Sequence, residues 1–303
     1  MKINTIRPLE SDFLEVLDFI ALKPEILYYM GVLPEKIDGK RPKTVAIVGA
    51  RKMTKYGQEI AYKIAFELAK RGVIVVSGLA YGVDSVAHRG ALDGGGVTIA
   101  VLGTAIDDIT PRPHRGLAKE IIEKGGAVIS EYFPGEIVFT KTSFLERNRI
   151  ISGLSDAVIV VEAASKSGSL NTAAHALEQG KDLWVVPGDI TRASTAGCNE
   201  LIRQGAMPIT SVERFVDEVA PVKKLKALNG PPKGENELED KILQCIFEGL
   251  RDGEEILRIV GGSAADFNIT MTMMEIRGAV RGLGGNLWGL RWETFVLIVG
   301  TGL

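Results

Sequence analysis

Short, uninterrupted runs of apolar residues recur through the middle of the chain, and longer segments of helical character separate them. The runs are rich in Val and Ile, and most of them end at a glycine. Continuous apolar runs, unlike alternating ones, are typical of strands that are buried on both faces of a sheet. The runs are VAIVGAR (45–51), VIVVSG (73–78), TIAVLG (98–103), AVIVVEA (157–163) and LWVVPGD (183–189).

Helical segments such as GQEIAYKIAFELAKRG (57–72) lie between these runs. Strands that alternate with helices predict βαβ units with right-handed crossovers. The predicted fold class is therefore α/β, with a doubly wound, mostly parallel sheet. Ligands of such sheets bind beyond the carboxyl ends of the strands. We therefore expect one crevice to be surrounded by the loops after Val48, Val76, Leu102, Val161 and Val186.

The same pattern divides the chain into four parts. Residues 1–42 place apolar side chains at helical spacing as far as Ile20 and then reach Pro24, which predicts a short N-terminal helical segment. Residues 43–219 hold most of the glycine turns and form the predicted sheet domain. The polar stretch 220–237 contains Pro and Gly and predicts a linker. Residues 238–303 begin with a short helix and form the predicted C-terminal domain.

Composition narrows the class of protein. The chain has 303 residues, 46% of them hydrophobic and 24% charged, which is typical of a globular protein. Its net charge of −2 excludes a basic nucleic-acid-binding surface over the whole protein, although not a local basic pocket. The two cysteines, Cys198 and Cys245, form no CxxC pair, which argues against zinc ribbons and disulfide frameworks. No apolar segment is long enough to span a membrane, and we expect a cytoplasmic protein.

The loop VGARKMTKYG is a candidate anion-binding turn. Gly49 directly follows a strand and lets backbone N–H groups approach a phosphate, and Arg51, Lys52 and Lys55 add positive charge. The loop matches neither GxGxxG nor GxxxxGK[ST], which argues against NAD binding and ATP hydrolysis. The segment SGSLNTAAHALEQG around Gly168 opens a second helix after a strand and predicts a second anion site. The alternative for the first loop is a solvated helix start.

Two further loops leave more than one interpretation open. In SGLAYGVDSVAH (77–88), Asp84 and His88 stand four residues apart on a predicted helix, where they could perform acid–base chemistry. Alternatively, Asp84 lies in the first helical turn and His88 packs locally. The loop LGTAIDDITPRPHRG (102–116) carries Arg112, His114 and Arg115, and the sequence is compatible with a binding lip or with a surface loop.

The segment TKTSFLERNRIISGLSD (140–156) is the most informative. Lys141, Arg147 and Arg149 surround Phe144 and Asn148 in sequence. Cations interleaved with an aromatic residue suit single-stranded nucleic acid, because the cations neutralise phosphates and the ring stacks on a base. The alternative places Phe144 in the core and the charges on a solvated helix face. The three histidines lack metal-ligand spacing, and we predict no metal and no cofactor.

Taken in order, these strings resemble the DprA/Smf family, the DNA-processing protein A of natural transformation. The similarity runs over about 45–207. The matching strings are IVGARKMTKYG, VSGLAYGVDSVAHRGAL, GGVTIAVLG, GGAVISEYFPG, FLERNRIISGLSDAVIVVEAASKSGSLNTAAHALEQGKDLWVVPGD and GCNELIRQGA. The resemblance implies a Rossmann-like domain in a cytoplasmic, non-catalytic homodimer that binds and protects single-stranded DNA and loads the RecA recombinase.

The resemblance also implies the site residues. The family's phosphate pocket falls on Gly49, Arg51, Ser77, Gly78, Lys141, Phe144, Arg147, Asn148, Gly168, Ser169 and Leu170. In this interpretation Arg51 and Arg147 hold phosphates, Lys141 adds charge at the rim and Phe144 stacks on a base. The string GxDxxAH places Gly82, Asp84 and His88 beside the pocket, where we expect them to shape it.

Parts of the chain depart from the family pattern. The loop after Leu102 has Thr110-Pro111 where the family has Tyr-Pro, which changes the lip of the pocket. The string MEIRGAVRGLGG resembles the family's small winged-helix domain, and the ending RWETFVLIVGTGL does not. The main alternative function is a Rossmann-like enzyme of the phosphoribohydrolase type that binds nucleoside monophosphates, but its PGGxGTxxE signature is missing. A scaffold that senses a small phosphorylated ligand is the third interpretation.

Overall fold

Residues 2–221 and 232–290 are described in the computed structural model, which divides into two compact units. The first unit is Met1–Val222 and the second is Lys223–Leu303. Most of the predicted linker and the unfamiliar ending 291–303 lie outside the described residues.

Over its described residues, the first unit is built on one sheet of nine strands. The strands are β1 Asn4–Ile6, β2 Leu27–Gly31, β3 Thr44–Val48, β4 Ile74–Ser77, β5 Thr98–Leu102, β6 Ala127–Ser130, β7 Ala157–Val160, β8 Asp182–Val185 and β9 Met207–Pro208. Their order across the sheet is β1-β2-β6-β5-β4-β3-β7-β8-β9. All pairs from β6 to β9 are parallel, which is the predicted doubly wound, Rossmann-like arrangement.

The strand order reverses direction at β3, which pairs with β4 on one side and with β7 on the other. Val45 lies opposite Ala157 and Val48 lies opposite Val160 in this parallel register. A crevice opens beyond the carboxyl ends of the strands where a doubly wound sheet reverses in this way. The fold thus places the loop after Val48 at the position that the sequence predicts for a ligand.

Helices cover both faces of the sheet. They are α1 Lys55–Lys70, α2 Val83–Asp93, α3 Arg115–Glu123, α4 Thr140–Gly153, α5 Ser169–Glu178, α6 Ala196–Arg203 and α7 Val212–Val219. Along β3, Val45 and Ile47 pack with α1, α2 and α7, whereas Ala46 and Val48 pack with α4, α5 and α6. This alternation follows from the two-residue period of a strand whose faces are both covered.

The N-terminal segment differs from its sequence prediction. In place of the predicted α-helix, the segment up to Ile20 contains a short 3-10 helix at Glu15–Phe19. The strands β1 and β2, on either side of it, extend the sheet at its edge. β2 runs antiparallel to β6, with Tyr29 opposite Ile129. Phe13, Leu14 and Leu17 are fully buried in the core of the first unit. These residues are thus part of the sheet domain and not a separate helical module.

The described part of the second unit contains three helices followed by a hairpin. These are α8 Glu237–Phe247, α9 Gly253–Val260, α10 Ala264–Ile276, β10 Val280–Gly284 and β11 Leu287–Leu290. Ile242, Ile256, Phe267 and Met274 form its own core. The winged-helix-like character of this unit stays a prediction from the sequence.

Among residues 2–221 and 232–290, every helix falls short of the length and apolar character needed to cross a lipid bilayer.

Candidate nucleic-acid interface

The loop between β3 and α1 is held in place by a buried carboxylate. Glu162, which follows β7, accepts a hydrogen bond from the backbone N–H of Thr54 at 2.8 Å. Thr54 in turn caps α1 by accepting from the N–H of Gly57 at 3.1 Å. A Cβ on Gly49 would lie 2.7 Å from the Val83 side chain, so only glycine fits at the start of this loop. The loop therefore presents Arg51 to solvent from a fixed backbone.

Phe144 on α4 lies beside two arginines. The guanidinium carbon of Arg51 is 5.3 Å from the centroid of the Phe144 ring, and that of Arg147 is 5.9 Å away. Both distances are within the range of cation–π attraction. The ring is partly exposed and also contacts Gly103 at the end of β5, where a Cβ would lie 2.6 Å from a ring carbon. An aromatic surface and two positive charges thus meet in one place.

Arg147 lies at the floor of this arrangement and is 4% exposed. Its Nη1 donates to the carbonyl of Gly78 at 2.8 Å and to the carbonyl of Val101. Burial, together with the positive charge of Arg51, lowers the pKa of Arg147 to about 10. The guanidinium therefore remains charged at neutral pH, and its Nε also donates to Oδ1 of Asn148 at 3.3 Å. Arg147 thus contributes positive electrostatic potential to the site from a buried position.

Asp84 is the acidic neighbour of this arginine. Its Oδ2 accepts from the N–H of Gly78 at 3.1 Å, and the side chain is 6% exposed. Burial raises the pKa of Asp84, and the nearby charge of Arg147 partly offsets that effect. Ser77, at the end of β4, is fully buried and its hydroxyl donates to the carbonyl of Ile47 at 2.7 Å. Ser77 therefore ties two strands together and does not line the pocket wall described below.

His88 on α2 is fully buried and engaged with the sheet. The hydroxyl of Thr98 donates to the carbonyl of Val75, so it accepts from Nδ1–H of His88 at 2.7 Å. Burial, together with the neighbouring His114 and Arg147, lowers the pKa of His88 to about 3. The ring is thus neutral at ordinary pH. Asp84 and His88 are both enclosed, which favours the interpretation of local packing over acid–base chemistry.

The start of α5 forms the opposite wall. Asn148 donates from Nδ2 to the carbonyl of Gly168 at 3.3 Å and to Oδ1 of Asn171 at 3.1 Å. The hydroxyls of Ser167 and Ser169 are 2.7 Å apart. A Cβ on Gly168 would meet nothing within 4 Å, so this turn is open to a ligand. Leu170 is partly buried and packs against the core instead.

These elements enclose a pocket with a volume of about 320 Å³, which is at the lower end for small-molecule sites. Its wall includes Val48, Gly49, Arg51, Ala80, Asp84, Phe144, Leu145, Arg147, Asn148, Ile151, Ser167, Gly168, Ser169 and Thr172. Seven of the eleven phosphate-site residues named from the sequence are therefore in one wall. We call this cavity the switch pocket, because it lies where the strand order reverses.

The other predicted residues have different positions. Gly78 lies directly against Arg147, and Gly82 has a φ of 79° and lies against the carbonyl of Ala50. Lys141 is in the first turn of α4, and its side chain lies outside what the structure describes. Arg149 does not join the cluster around Phe144, because its Nη2 donates to both carboxylate oxygens of Glu131, at 2.7 and 2.8 Å. Arg149 is two residues from Arg147, and side chains two residues apart on an α-helix project from nearly opposite faces.

Sequence reasoning missed Ala80, Leu145, Ile151 and Thr172, which line the switch pocket. It also missed Glu162, whose carboxylate orients the Arg51 loop. Helical spacing from Asn148 could have identified Ile151, because residues three apart share a helix face. The role of Glu162 depends on its contact with Thr54, which is distant in sequence, so no local sequence pattern indicates it. Cys198 is fully buried, and burial raises the pKa of its thiol to about 12, which makes the thiol a poor nucleophile.

Comparison with known proteins places the first unit among DNA-processing proteins. Residues 4–220 match the family model described as DNA recombination-mediator protein A. The chain is 46% identical to protein Smf of Escherichia coli over 175 residues, which is 58% of this chain and 46% of that protein. It is 37% identical to the putative DNA processing protein DprA of Mycobacterium tuberculosis over 75% of this chain and 57% of that protein. The chain thus matches about half the length of these curated relatives.

Two solved structures share the fold. The DNA processing protein A of Streptococcus pneumoniae has a TM-score of 0.63 at 38% identity, covering 72% of this chain and 75% of that one. A structure from Helicobacter pylori also has a TM-score of 0.63, at 32% identity, and covers 72% of this chain and 96% of that one. The latter is described as showing the single-stranded DNA binding mode of DNA processing protein A.

Proposed function

The chain belongs to the DNA recombination-mediator protein A family, and on that premise we propose that it binds single-stranded DNA at the switch pocket. The observation that carries the proposal is the position of the partly exposed Phe144 ring near two guanidinium groups, those of Arg51 at 5.3 Å and Arg147 at 5.9 Å. A ring combined with positive charge is what a flexible strand requires, because every nucleotide has a base face and a phosphate. The relative from H. pylori is described as binding this class of ligand.

Electrostatic attraction in this proposal is local. The chain as a whole has a net charge of −2, so it repels DNA weakly at a distance. Arg51 is exposed and can turn its guanidinium from the Phe144 ring to a phosphate. Arg147 remains fixed by the carbonyls of Gly78 and Val101 and adds potential from the floor. Lys141 contributes a third charge at the start of α4.

The open turn at the start of α5 supplies neutral contacts. The start of α5 carries the positive end of the helix dipole, and Gly168 leaves room for a phosphate to approach it. The hydroxyls of Ser167 and Ser169 can donate to the same group. These contacts recognise the backbone and carry no base sequence, so we expect binding with little sequence preference.

The protein in this proposal acts by binding and not by catalysis. Asp84 and His88 are the acid–base pair nearest the pocket, and both are enclosed by packing and hydrogen bonds. A phosphoribohydrolase would need a reactive carboxylate at the bound nucleotide, and Asp84 already accepts from the backbone. We further propose that the protein works in the cytoplasm as a homodimer that protects strands and loads RecA. Two pockets on one strand would increase affinity through effective concentration.

Fluorescence anisotropy tests the proposal directly. Labelled oligo-dT is titrated with the full chain, and unlabelled duplex of the same length and a nucleoside monophosphate serve as competitors. We expect the strand to bind, the duplex to compete poorly and the mononucleotide to compete only at much higher concentration. Equal competition by duplex would contradict strand selectivity. Release of free base from the monophosphate would instead support the enzyme interpretation.

A further inference from the structure

Tyr81 presents an exposed ring on the loop that borders the switch pocket. It is 48% exposed, and it stands between Ala80, which lines the pocket, and Gly82, which lies against the backbone of Ala50 and Arg51. Within residues 2–221 and 232–290, the Tyr81 hydroxyl has no hydrogen-bond partner, and the ring has one aromatic neighbour, His114. A large, solvent-exposed aromatic ring beside a ligand pocket is a candidate binding surface.

The backbone around Tyr81 is fixed at both ends. Leu79 is fully buried in the left-handed region, with a φ of 57°, and its carbonyl accepts from Nδ1–H of His114 at 2.7 Å. At the other end, Val83 N–H donates to the carbonyl of Ala50 at 3.2 Å. The short segment between them therefore holds Tyr81 in position before any ligand arrives. A fixed ring loses little conformational entropy when a base stacks on it.

His114 completes the platform. Its ring centroid is 5.0 Å from that of Tyr81, with an angle of 67° between the planes. An edge-to-face pair stabilises the orientation of both rings and leaves one ring face open. Arg112, two residues earlier, is exposed and makes no ion pair within the described part of the chain. Tyr81 and Arg112 thus combine an aromatic ring with an exposed cation, as Phe144 and Arg51 do in the pocket wall.

We propose that Tyr81 and His114 form a second nucleobase-binding subsite, in which the base of a neighbouring nucleotide stacks on Tyr81 and Arg112 contacts the following phosphate. The proposal rests on single-stranded DNA binding at the switch pocket. It extends the bound strand from Phe144 past Ala80 to the loop 110–115. The subsite takes any base, because each base has an aromatic face.

The test separates stacking from charge. Tyr81→Ala, Tyr81→Phe and Arg51→Ala are compared with the unsubstituted chain on oligo-dT and on an oligonucleotide of equal length with abasic residues. Tyr62→Ala is the matched control, because Tyr62 is 36% exposed and lies on α1 outside both the switch pocket wall and the loop VGARKMTKYG. Thermal unfolding of each variant verifies that the fold is retained.

We expect Tyr81→Ala to weaken oligo-dT binding by about 5- to 50-fold, as for loss of one stacked base. Tyr81→Phe keeps the ring and retains the affinity, and Tyr62→Ala has no effect on DNA binding. On the abasic strand Tyr81→Ala binds like the unsubstituted chain, whereas Arg51→Ala is weaker on both strands. Oligo-dT binding that is unchanged in Tyr81→Ala would overturn this subsite alone. Absence of binding by the unsubstituted chain would overturn the proposed function as well.

Discussion

Nη1 of Arg147 donates to the carbonyl of Gly78 at 2.8 Å, and a Cβ on Gly78 would lie 2.4 Å from the same nitrogen. The turn after β4 and the helix α4 therefore fit together only if residue 78 is glycine. This contact fixes a charged group at the floor of the switch pocket. Gly78 does not have a left-handed backbone conformation, so the requirement for glycine here comes from the space that the Arg147 guanidinium occupies.

Gly78→Ala should destabilise the protein. The new methyl group displaces the guanidinium and costs hydrogen bonds to a charged group, which amounts to about 2–4 kcal/mol. Gly168→Ala is the control, because a Cβ there meets nothing within 4 Å and should change stability by less than about 0.5 kcal/mol. Denaturant unfolding of the two variants measures the difference. Equal stability of both would contradict the packing role of Gly78.

His88 makes stability depend on pH. Its pKa is about 3 in the folded protein and about 6.5 when unfolded, so the unfolded chain binds the extra proton first. The stability contribution is complete above pH 6.5 and is lost as the pH falls towards about 3, by at most about 1.4 kcal/mol per pH unit.

The free energy of unfolding, measured from pH 7 to pH 4, tests this dependence. His88→Gln should flatten the slope, although it also lowers stability at pH 7 by disturbing the Thr98 contact. His175→Gln on α5, where the ring is partly exposed, should retain the slope of the unsubstituted chain. A slope that is the same in all three proteins would exclude His88 as its source.

Phe144 should contribute to DNA affinity through its ring. Phe144→Leu keeps an apolar side chain beside Gly103 but removes the aromatic face, and we expect a loss of about 5- to 50-fold in affinity for oligo-dT. Phe66→Leu is a close control, because Phe66 is also partly buried and lies under a cation, Lys70, at 5.5 Å. Anisotropy titrations should detect no change for it. Equal losses in both variants would point to a general packing effect.

The second unit should contribute little to duplex binding. Residues 232–290 carry six Lys or Arg against ten Asp or Glu, and Arg277 is paired with Glu235 and Glu239. Along α10 the exposed side chains include Ile269, Met273 and Ile276, where a DNA-reading helix would present cations and amides. Arg258→Ala combined with Arg281→Ala should leave duplex affinity unchanged. A loss above about tenfold would show that this unit reads duplex DNA.

The fold of the first unit could be predicted largely from its apolar runs. The runs at 45–51, 73–78, 98–103, 157–163 and 183–189 overlap β3, β4, β5, β7 and β8, because buried parallel strands leave a strong and continuous signal. β2 was missed because Leu27–Gly31 has neither a continuous apolar run nor a clean alternation. Its pairing with β6 depends on distant residues, which a local pattern does not encode.

The candidate site could be predicted in part. Gly49, Arg51, Phe144, Asn148 and Gly168 meet in one wall, as the loops beyond the strand ends indicated. The environment of a charged residue was harder to predict than its position. Arg147 and Arg149 are similar in sequence context, but one faces the pocket and the other pairs with Glu131. Because the two arginines are two residues apart on a helix, they project from nearly opposite faces. The clustering of charge in the sequence did not indicate this difference.

The most direct test of the central claim is the salt dependence of single-strand binding in Arg51→Ala combined with Lys141→Ala. For the unsubstituted chain, two or three phosphate contacts predict an affinity for oligo-dT that falls about 5- to 20-fold between about 50 and 200 mM salt. The double variant should bind at least about tenfold more weakly and with a flatter dependence. The charge-matched pair Arg214→Ala and Lys241→Ala should behave like the unsubstituted chain. Unchanged affinity and slope in the Arg51/Lys141 variant would contradict capture of the strand at the switch pocket.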